Sequence, residues 1–125
     1  GAALHAPYSD APETSGLMQV TREQQVPLYE QALRSGIQLA THAIGDRGNT
    51  EVADWYAEAL GNVPPSERPN GADVRWRIEH AQILRPQDYR WFHELPILAS
   101  MQPSHAIGDF HFAPARLGDT RLDGA

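Results

Sequence analysis

Three short, mostly apolar runs separated by helical patterns constrain the fold of this chain most strongly. The runs are residues 37–42 (IQLATH), 74–80 (VRWRIEH) and 97–101 (ILASM), and each begins just after a turn that contains Gly or Pro. Strands that alternate with helices are typical of parallel sheets joined by right-handed crossovers. The sequence therefore predicts an α/β fold of parallel βα units, in the order α-β-α-β-α-β.

The predicted helices have recognisable starts and ends. A capping box of Thr21 and Gln24 favours an early start for the first helix, whereas Pro27 favours a later one, because proline is best tolerated in the first turn. Glycines just after the first two helices and a proline just after the third are expected to end them. The three helices run from Thr21 or Pro27 to Gly36, from Asp46 or Asn49 to Leu60, and from Pro86 to Leu95.

The length of the chain limits how much of an α/β architecture it can hold. Its 125 residues correspond to one domain, whereas a complete (β/α)₈ barrel needs about 200–250 residues. We predict a single domain in which residues 1–20 form a loop, residues 21–109 form the βα units and residues 110–125 form a loop-rich tail.

The charge pattern argues against a nucleic-acid partner, and the lack of long apolar runs argues against a membrane partner. Ten Lys+Arg against 16 Asp+Glu give a net charge of −6, and no two of the ten arginines are adjacent. We therefore expect no nucleic-acid partner. No apolar run approaches the roughly 18 residues of a membrane span, so we expect no membrane partner. The absence of Cys and of a visible targeting segment favours a cytoplasmic location.

Histidines follow the predicted strands at their carboxyl ends. His42 ends the first run, His80 ends the second, and His105 lies shortly after the third. The carboxyl ends of parallel strands meet at one edge of a sheet, so the three imidazoles can converge there. Imidazole nitrogens on rigid strand ends suit a zinc-type site. Any single histidine at a strand end is also compatible with an ordinary hydrogen-bonded polar residue.

One pentapeptide, His-Ala-Ile-Gly-Asp, occurs twice. It occupies residues 42–46 and again residues 105–109, and the flanking sequences do not match. A small-residue turn after a strand-end histidine would let the backbone bend over a site, and Asp46 could then cap the next helix. Convergent turn chemistry and coincidence both account for the repeat.

Five other polar residues are weighed as site candidates: Arg47, Glu79, His5, His93 and His111. Arg47 could bind an anionic group, although we favour a surface ion pair. Glu79 precedes His80, and successive strand residues point to opposite faces, so we expect Glu79 to face the surrounding helices and to pair with an arginine there. We assign it no catalytic role. We interpret His5, His93 and His111 as surface or structural residues.

Five stretches spread over nearly the whole chain carry a family resemblance. They are residues 1–12 (GAALHAPYSDAP), 39–49 (LATHAIGDRGN), 75–83 (RWRIEHAQI), 98–109 (LASMQPSHAIGD) and 115–121 (ARLGDTR). In this order and spacing the sequence resembles amidohydrolase family 3. That family is the branch of the metal-dependent amidohydrolase superfamily that includes N-substituted formamide deformylase.

The resemblance implies a fold, a reaction and a set of site residues. The fold is a partial TIM-like (β/α)₈ barrel comprising about strands five to seven. His42 and His80 match metal ligands of the superfamily, and His105 would lie beside the site and contact substrate or metal. The implied cofactor is a divalent metal, with zinc expected. The implied reaction is hydrolysis of a C–N bond in a small amide-type substrate.

The chain also departs from the family pattern. A first-strand HxH pair, a bridging lysine and an eighth-strand aspartate are all absent, and the sequence contains no lysine. We therefore expect a fragment of a hydrolase that is inactive alone and that forms homo-oligomers through exposed partial-barrel surfaces. The alternatives are a small stand-alone α/β module that binds a metal or ligand without turnover, and a purely structural interaction domain.

Overall fold

A three-stranded parallel sheet forms the centre of the structure, as the sequence predicts. The structure is a computed structural model that describes the backbone of residues 1–125 and the side chains of all of them except residue 124. The strands are β1 (Ala40–Ala43), β2 (Trp76–His80) and β3 (Ile97–Ser100), and they lie side by side in the order β1-β2-β3. Both pairs are parallel, so β1 and β3 are the edge strands.

Strand β1 is shorter at its start than the predicted run. The carbonyl of Ile37 accepts a hydrogen bond from the indole nitrogen of Trp76, at 3.2 Å. It therefore bonds to a side chain rather than to the backbone of the next strand. At the start of β2 the backbone of Arg75 has a φ of +46°, so regular pairing begins only at the following residue.

Two long helices pack together against the sheet. Helix α1 (Arg22–Ser35) begins with the complete predicted capping box, and Gly36 ends it in the left-handed conformation with a φ of +69°. Pro27 therefore lies inside the helix and not in its first turn. Helix α2 (Asp46–Asn62) continues through the glycine that was expected to stop it.

Helix α2 extends to Asn62 because a side chain caps its carbonyls. The guanidinium of Arg68 donates hydrogen bonds to the carbonyl oxygens of Leu60, at 2.7 Å, and Val63, at 2.6 Å. The last carbonyls of a helix otherwise lack partners. Burial lowers the pKa of Arg68 from its ordinary value.

The second half of the chain contains more helix than the sequence predicts. The predicted third helix divides into a 3₁₀ segment and a short α-helix, and the tail that was expected to be loop-rich contains further helical turns. These elements are the 3₁₀ segments Pro65–Glu67, Pro86–Arg90 and Asp119–Gly124, and the helices α3 (Trp91–Glu94), α4 (His105–Gly108) and α5 (Ala113–Leu117).

Contacts with the first residues of the chain order the tail. Leu117 is buried in a small apolar cluster with Leu4 and Tyr8. Arg116 forms an ion pair with Asp10 at 3.2 Å and places its guanidinium 4.2 Å from the centre of the Tyr8 ring. These pairings join residues about a hundred positions apart, so a local sequence pattern could not reveal them.

The main core fills the space between the helices and one face of the sheet. The rings of Tyr29, Tyr56 and Trp76 meet there, with centroid separations of 5.0, 5.8 and 4.9 Å. The Tyr56 hydroxyl donates to the Thr41 hydroxyl at 2.7 Å and lies 2.9 Å from the carbonyl of Arg77. Burial raises the pKa of Tyr56 well above its ordinary value.

The other face of the sheet is open. Ala40 and His42 on β1 are exposed, and Leu98 on β3 is 48% exposed. The backbone register aligns Ala40 with Arg77, and Arg77 with Leu98, so these residues form one row across this face. No helix in the described part of the chain is both long and apolar enough to cross a membrane.

Candidate metal centre

Three imidazole rings meet at the carboxyl edge of the sheet. The centroids of His42 and His80 lie 4.6 Å apart with the rings nearly perpendicular, and His105 stacks on His80 at 5.4 Å. His42 lies on β1, His80 is the last residue of β2, and His105 is the first residue of α4. The structure therefore brings together the three histidines that the sequence pattern selects.

An unusual backbone conformation lets His80 reach His42. His80 aligns with Ala43, whose side chain is buried on the helix side of the sheet. Strict alternation would therefore direct both side chains to that side. Instead His80 has a φ of +74°, and Ala81 follows with +46°. Such values are uncommon for residues other than glycine and cost conformational energy. The strand ends at this bend, and the His80 ring lies beside His42.

The predicted orientation of Glu79 is wrong for the same reason. Glu79 aligns with His42 on the open face, and its carboxylate pairs with Arg77 of the same strand at 2.7 Å. The prediction assumed that alternation continues through His80, whereas the positive φ interrupts it. Hydrogen bonds from Arg77 and then Ser100 lower the pKa of Glu79. An arginine partner is present as predicted, but on the open face.

The His80 ring is partly withdrawn from solvent among other imidazoles. Burial and then the nearby rings of His42 and His105 lower its pKa, while Glu79 acts in the opposite direction. Its Nδ1 atom is buried and has no hydrogen-bond partner among the described residues. A buried polar nitrogen without a partner is uncommon in folded proteins. Neutral imidazole nitrogens are also the form in which histidine binds metals.

Asn49 holds together the two loops that follow β1 and β2. Its side-chain nitrogen lies 3.1 Å from the carbonyl oxygen of Ile44, 2.9 Å from that of Gly45 and 3.2 Å from that of Ile83. A direct backbone bond from Ile83 to Ile44, at 2.9 Å, joins the same loops. Asn49 is 1% exposed. These bonds fix the segments just beyond His42 and His80 relative to each other.

The N-terminal loop closes over the start of α2. The carbonyl of Ala3 approaches Gly45 so closely that an added Cβ at Gly45 would lie 2.1 Å from its oxygen. The exposed His5 ring contacts the Thr50 hydroxyl at 3.0 Å. Asp46 accepts from the backbone nitrogens of His5 and Arg47. Gly45 is the N-cap residue of α2 and Asp46 is its first residue, so Asp46 is not the expected cap.

The residues present fit part of a metal centre. Imidazole nitrogens are preferred ligands of zinc and related ions, and the unpartnered His80 Nδ1 matches that chemistry. Among the side chains that the structure describes, however, no group of three or more His, Cys, Asp or Glu is arranged to hold a metal ion. The described residues therefore supply some ligands but not a complete set.

Comparison with known proteins decides the family. A sequence model described as the amidohydrolase family matches residues 1–125. The chain belongs to the amidohydrolase family. Two curated relatives are Protein LONG AFTER FAR-RED 3 of Arabidopsis thaliana, 36% identical over 121 residues, and the putative amidohydrolase YtcJ of Bacillus subtilis (strain 168), 32% identical over 121 residues. The matched regions cover 96% and 97% of this chain but 20% and 21% of the relatives.

Solved structures agree with the amidohydrolase assignment. An uncharacterized metal-dependent hydrolase from Pyrococcus furiosus superposes with a TM-score of 0.83 at 31% identity, and one from Pyrococcus horikoshii OT3 with 0.82 at 30%. Each match covers 99% of this chain, and 24% and 23% of those chains respectively. The predicted fold class, parallel βα units of a partial TIM-like barrel, is confirmed. The chain spans about a fifth of the length of the curated relatives.

The structure adds polar residues to the site of this amidohydrolase chain that the sequence pattern did not select. Asn49 lies at the fourth position of α2, and Gln82 and Asp109 contact each other at 2.6 Å beside His105. The spacing of His105 and Asp109, four residues apart, was an available signal for one helical face. Arg47 forms the favoured exposed ion pair, with Glu51 at 3.6 Å.

Proposed function

We propose that His42 and His80 are two of the metal ligands of a hydrolase that cleaves C–N bonds in small amide-type substrates. The observation that carries this proposal is the 4.6 Å approach of the two rings at adjacent strand ends. It occurs in a chain of the amidohydrolase family, whose structural neighbours include metal-dependent hydrolases. The strained backbone at His80 also supports it, because strain of this kind concentrates at functional sites.

The cofactor in this proposal is a divalent metal ion, with zinc as the first candidate because imidazole suits it. When bound, such an ion polarises a carbonyl group and lowers the pKa of a bound water molecule. The chain itself holds His42 and His80 at fixed strand ends and braces the following loops through Asn49. His105, stacked on His80, lies where it can contact substrate or metal.

In this proposal the remaining ligands come from outside these 125 residues. A catalytic zinc site takes about three protein ligands and keeps a position for water, and the described side chains do not complete one. The curated relatives are about five times as long as the matched region. We therefore expect the 125-residue chain to bind metal weakly and to show no amide hydrolysis by itself.

Titration of the chain with Zn²⁺ tests the ligand assignment. We expect about one ion per chain, and we expect His42→Ala and His80→Ala each to weaken binding by about tenfold or more, because two ligands become one. His93→Ala is the matched control, since His93 is exposed on α3, away from the rings at the sheet edge. Isothermal titration calorimetry measures all four proteins. Equal affinity in the His80→Ala variant and the unsubstituted chain would contradict the assignment.

We further propose that copies of this chain associate through the open face of the sheet. Leu98 is 48% exposed there, and apolar side chains exposed on an uncovered sheet face favour association. Light scattering over a range of concentrations should show a mass above 13.8 kDa for the unsubstituted chain and a shift toward that mass for Leu98→Gln. Leu28→Gln is the control, because Leu28 on α1 is 55% exposed away from this face. A monomer at every concentration would overturn this proposal.

A further inference from the structure

A chain of hydrogen bonds leads from Asp109 through Gln82 to the ring of His105. The side-chain nitrogen of Gln82 donates to Oδ2 of Asp109 at 2.6 Å, and its side-chain oxygen lies 3.1 Å from Nδ1 of His105. All three side chains are half-buried and border a cavity of about 410 Å³. Because His105 stacks on His80, these hydrogen bonds lie beside the imidazole cluster of His42, His80 and His105. They include neither of the two proposed metal ligands, His42 and His80.

The chemistry of these groups determines the direction of each bond. A carboxylate only accepts hydrogen bonds, so the NH₂ group of Gln82 must face Asp109. The opposite end of that amide is a carbonyl oxygen, which also only accepts. Nδ1 of His105 must therefore carry a proton for the contact to be favourable. In the neutral ring, the proton on Nδ1 leaves Nε2 with a free lone pair.

The second His-Ala-Ile-Gly-Asp segment provides the geometry for this arrangement. Its residues form α4, and Asp109 is the residue that caps the end of that helix. His105 and Asp109 are four positions apart, so they lie on the same side of a helical turn, where one glutamine can reach both. Gln82 comes from the loop just after β2, two residues beyond His80. The contact therefore links the loop after β2 to helix α4.

We infer that Asp109 and Gln82 are positioning residues that hold His105 with its proton on Nδ1, so that Nε2 accepts a hydrogen bond or a proton from a substrate bound beside the imidazole cluster. The part of this inference that concerns a bound substrate rests on the proposed function. In the metal-free chain the two hydrogen bonds of Gln82 set the state of the His105 ring. It can therefore be tested in the metal-free chain, where failure of the zinc assignment would leave the result unaffected.

Nitrogen chemical shifts of the histidine rings report directly which nitrogen carries the proton. The spectra are recorded on the metal-free, ¹⁵N-labelled chain at about pH 8.5, where ordinary imidazoles are neutral. We expect the ratio of the Nδ1-protonated to the Nε2-protonated form to be about tenfold higher for His105 than for a free histidine, the effect of one ordinary hydrogen bond. Exposed His93 serves as an internal reference and is expected to favour Nε2, as free histidine does.

Three variants separate positioning from simple packing. Asp109→Asn removes the fixed acceptor and lets the Gln82 amide turn over, so the Nδ1 preference should fall by about fivefold or more. Gln82→Met removes both bonds and should have the same effect. Gln82→Glu retains an acceptor for Nδ1 and should keep the preference, although it places two carboxylates together. If Gln82 only filled space, Gln82→Met would keep the Nδ1 preference of His105. Gln82→Glu, which places two carboxylates together, would then lower that preference.

Gln87→Met is the matched control, because Gln87 is an exposed glutamine in the 3₁₀ segment before α3. It should leave the His105 signals unchanged. A His105 ring with its proton on Nε2 in the unsubstituted chain would overturn the inference. An unchanged Nδ1 preference in both Asp109→Asn and Gln82→Met would also overturn it.

Discussion

Trp76→Ala is expected to lower the free energy of unfolding by about 3–5 kcal/mol, the usual cost of removing a large buried aromatic side chain. Trp76 is 0% exposed and contacts the rings of Tyr29 and Tyr56. Its indole nitrogen also donates to the carbonyl of Ile37, 39 residues away. A domain of this size is stabilised by only about 5–15 kcal/mol in total, so this substitution removes a large share of the stability.

Chemical denaturation followed by circular dichroism measures this loss. Tyr89→Ala is the control, because the Tyr89 side chain is also aromatic but is 44% exposed. We expect that substitution to cost less than about 1 kcal/mol. If the two variants lose similar stability, the core described around Trp76 is wrong.

Asn49→Asp is expected to destabilise the chain by about 3 kcal/mol or more at neutral pH. The substitution exchanges an NH₂ group for an oxygen of nearly the same size. The new carboxylate would face the carbonyl oxygens of Ile44, Gly45 and Ile83, which lie 2.9–3.2 Å from the amide nitrogen and share its two hydrogens. A buried charge without a donor carries a large desolvation cost.

This variant also has a characteristic pH dependence. Burial among carbonyl oxygens raises the pKa of the new carboxyl group above its value in the unfolded chain. The protonated form is then favoured by folding, so the stability gap to the unsubstituted chain should narrow as pH falls and widen as pH rises. Thermal melts between about pH 4 and 8 measure this trend.

Asn70→Asp provides the control for Asn49→Asp, since Asn70 is exposed and its side chain donates to the carbonyl of Gly36 at 2.8 Å. It should produce a small loss that changes little with pH. A stability gap for Asn49→Asp that is also small and independent of pH would show that Asn49 does not join the two loops as described.

Regular features of the fold could be predicted from sequence because they depend on local patterns. The capping box at Thr21 and Gln24 marks the start of α1, and the three apolar runs mark the strands. Parallel pairing then places His42 and His80 at one edge, whatever their separation along the chain. The placing of these two histidines at one edge was therefore predictable, because it follows from the order of the strands and helices.

Features that depend on distant contacts were not predictable. The repeated pentapeptide shows this directly, since residues 42–46 span a strand end and the start of α2, whereas residues 105–109 form a helical turn. The same five residues adopt both conformations because their tertiary surroundings differ. Of the two interpretations of the repeat, convergent turn chemistry is therefore wrong for the second copy, and coincidence agrees with the structure.

The orientation of Glu79 could not be predicted for a related reason. A non-glycine residue with positive φ, such as His80, leaves no mark in the hydrophobic pattern. Its energetic cost is offset by surrounding contacts that are visible only in the folded chain. The His80 ring therefore reaches His42 because the backbone at His80 departs from the alternation by which the strand was predicted.

Anomalous X-ray diffraction at the zinc edge, from crystals of the chain grown with Zn²⁺, tests the ligand assignment most directly. We predict an anomalous peak about 2.0–2.1 Å from a ring nitrogen of both His42 and His80. Zinc bound only at His93 or His111, or no zinc at the carboxyl edge of the sheet, would contradict the proposal that these strand-end histidines are metal ligands.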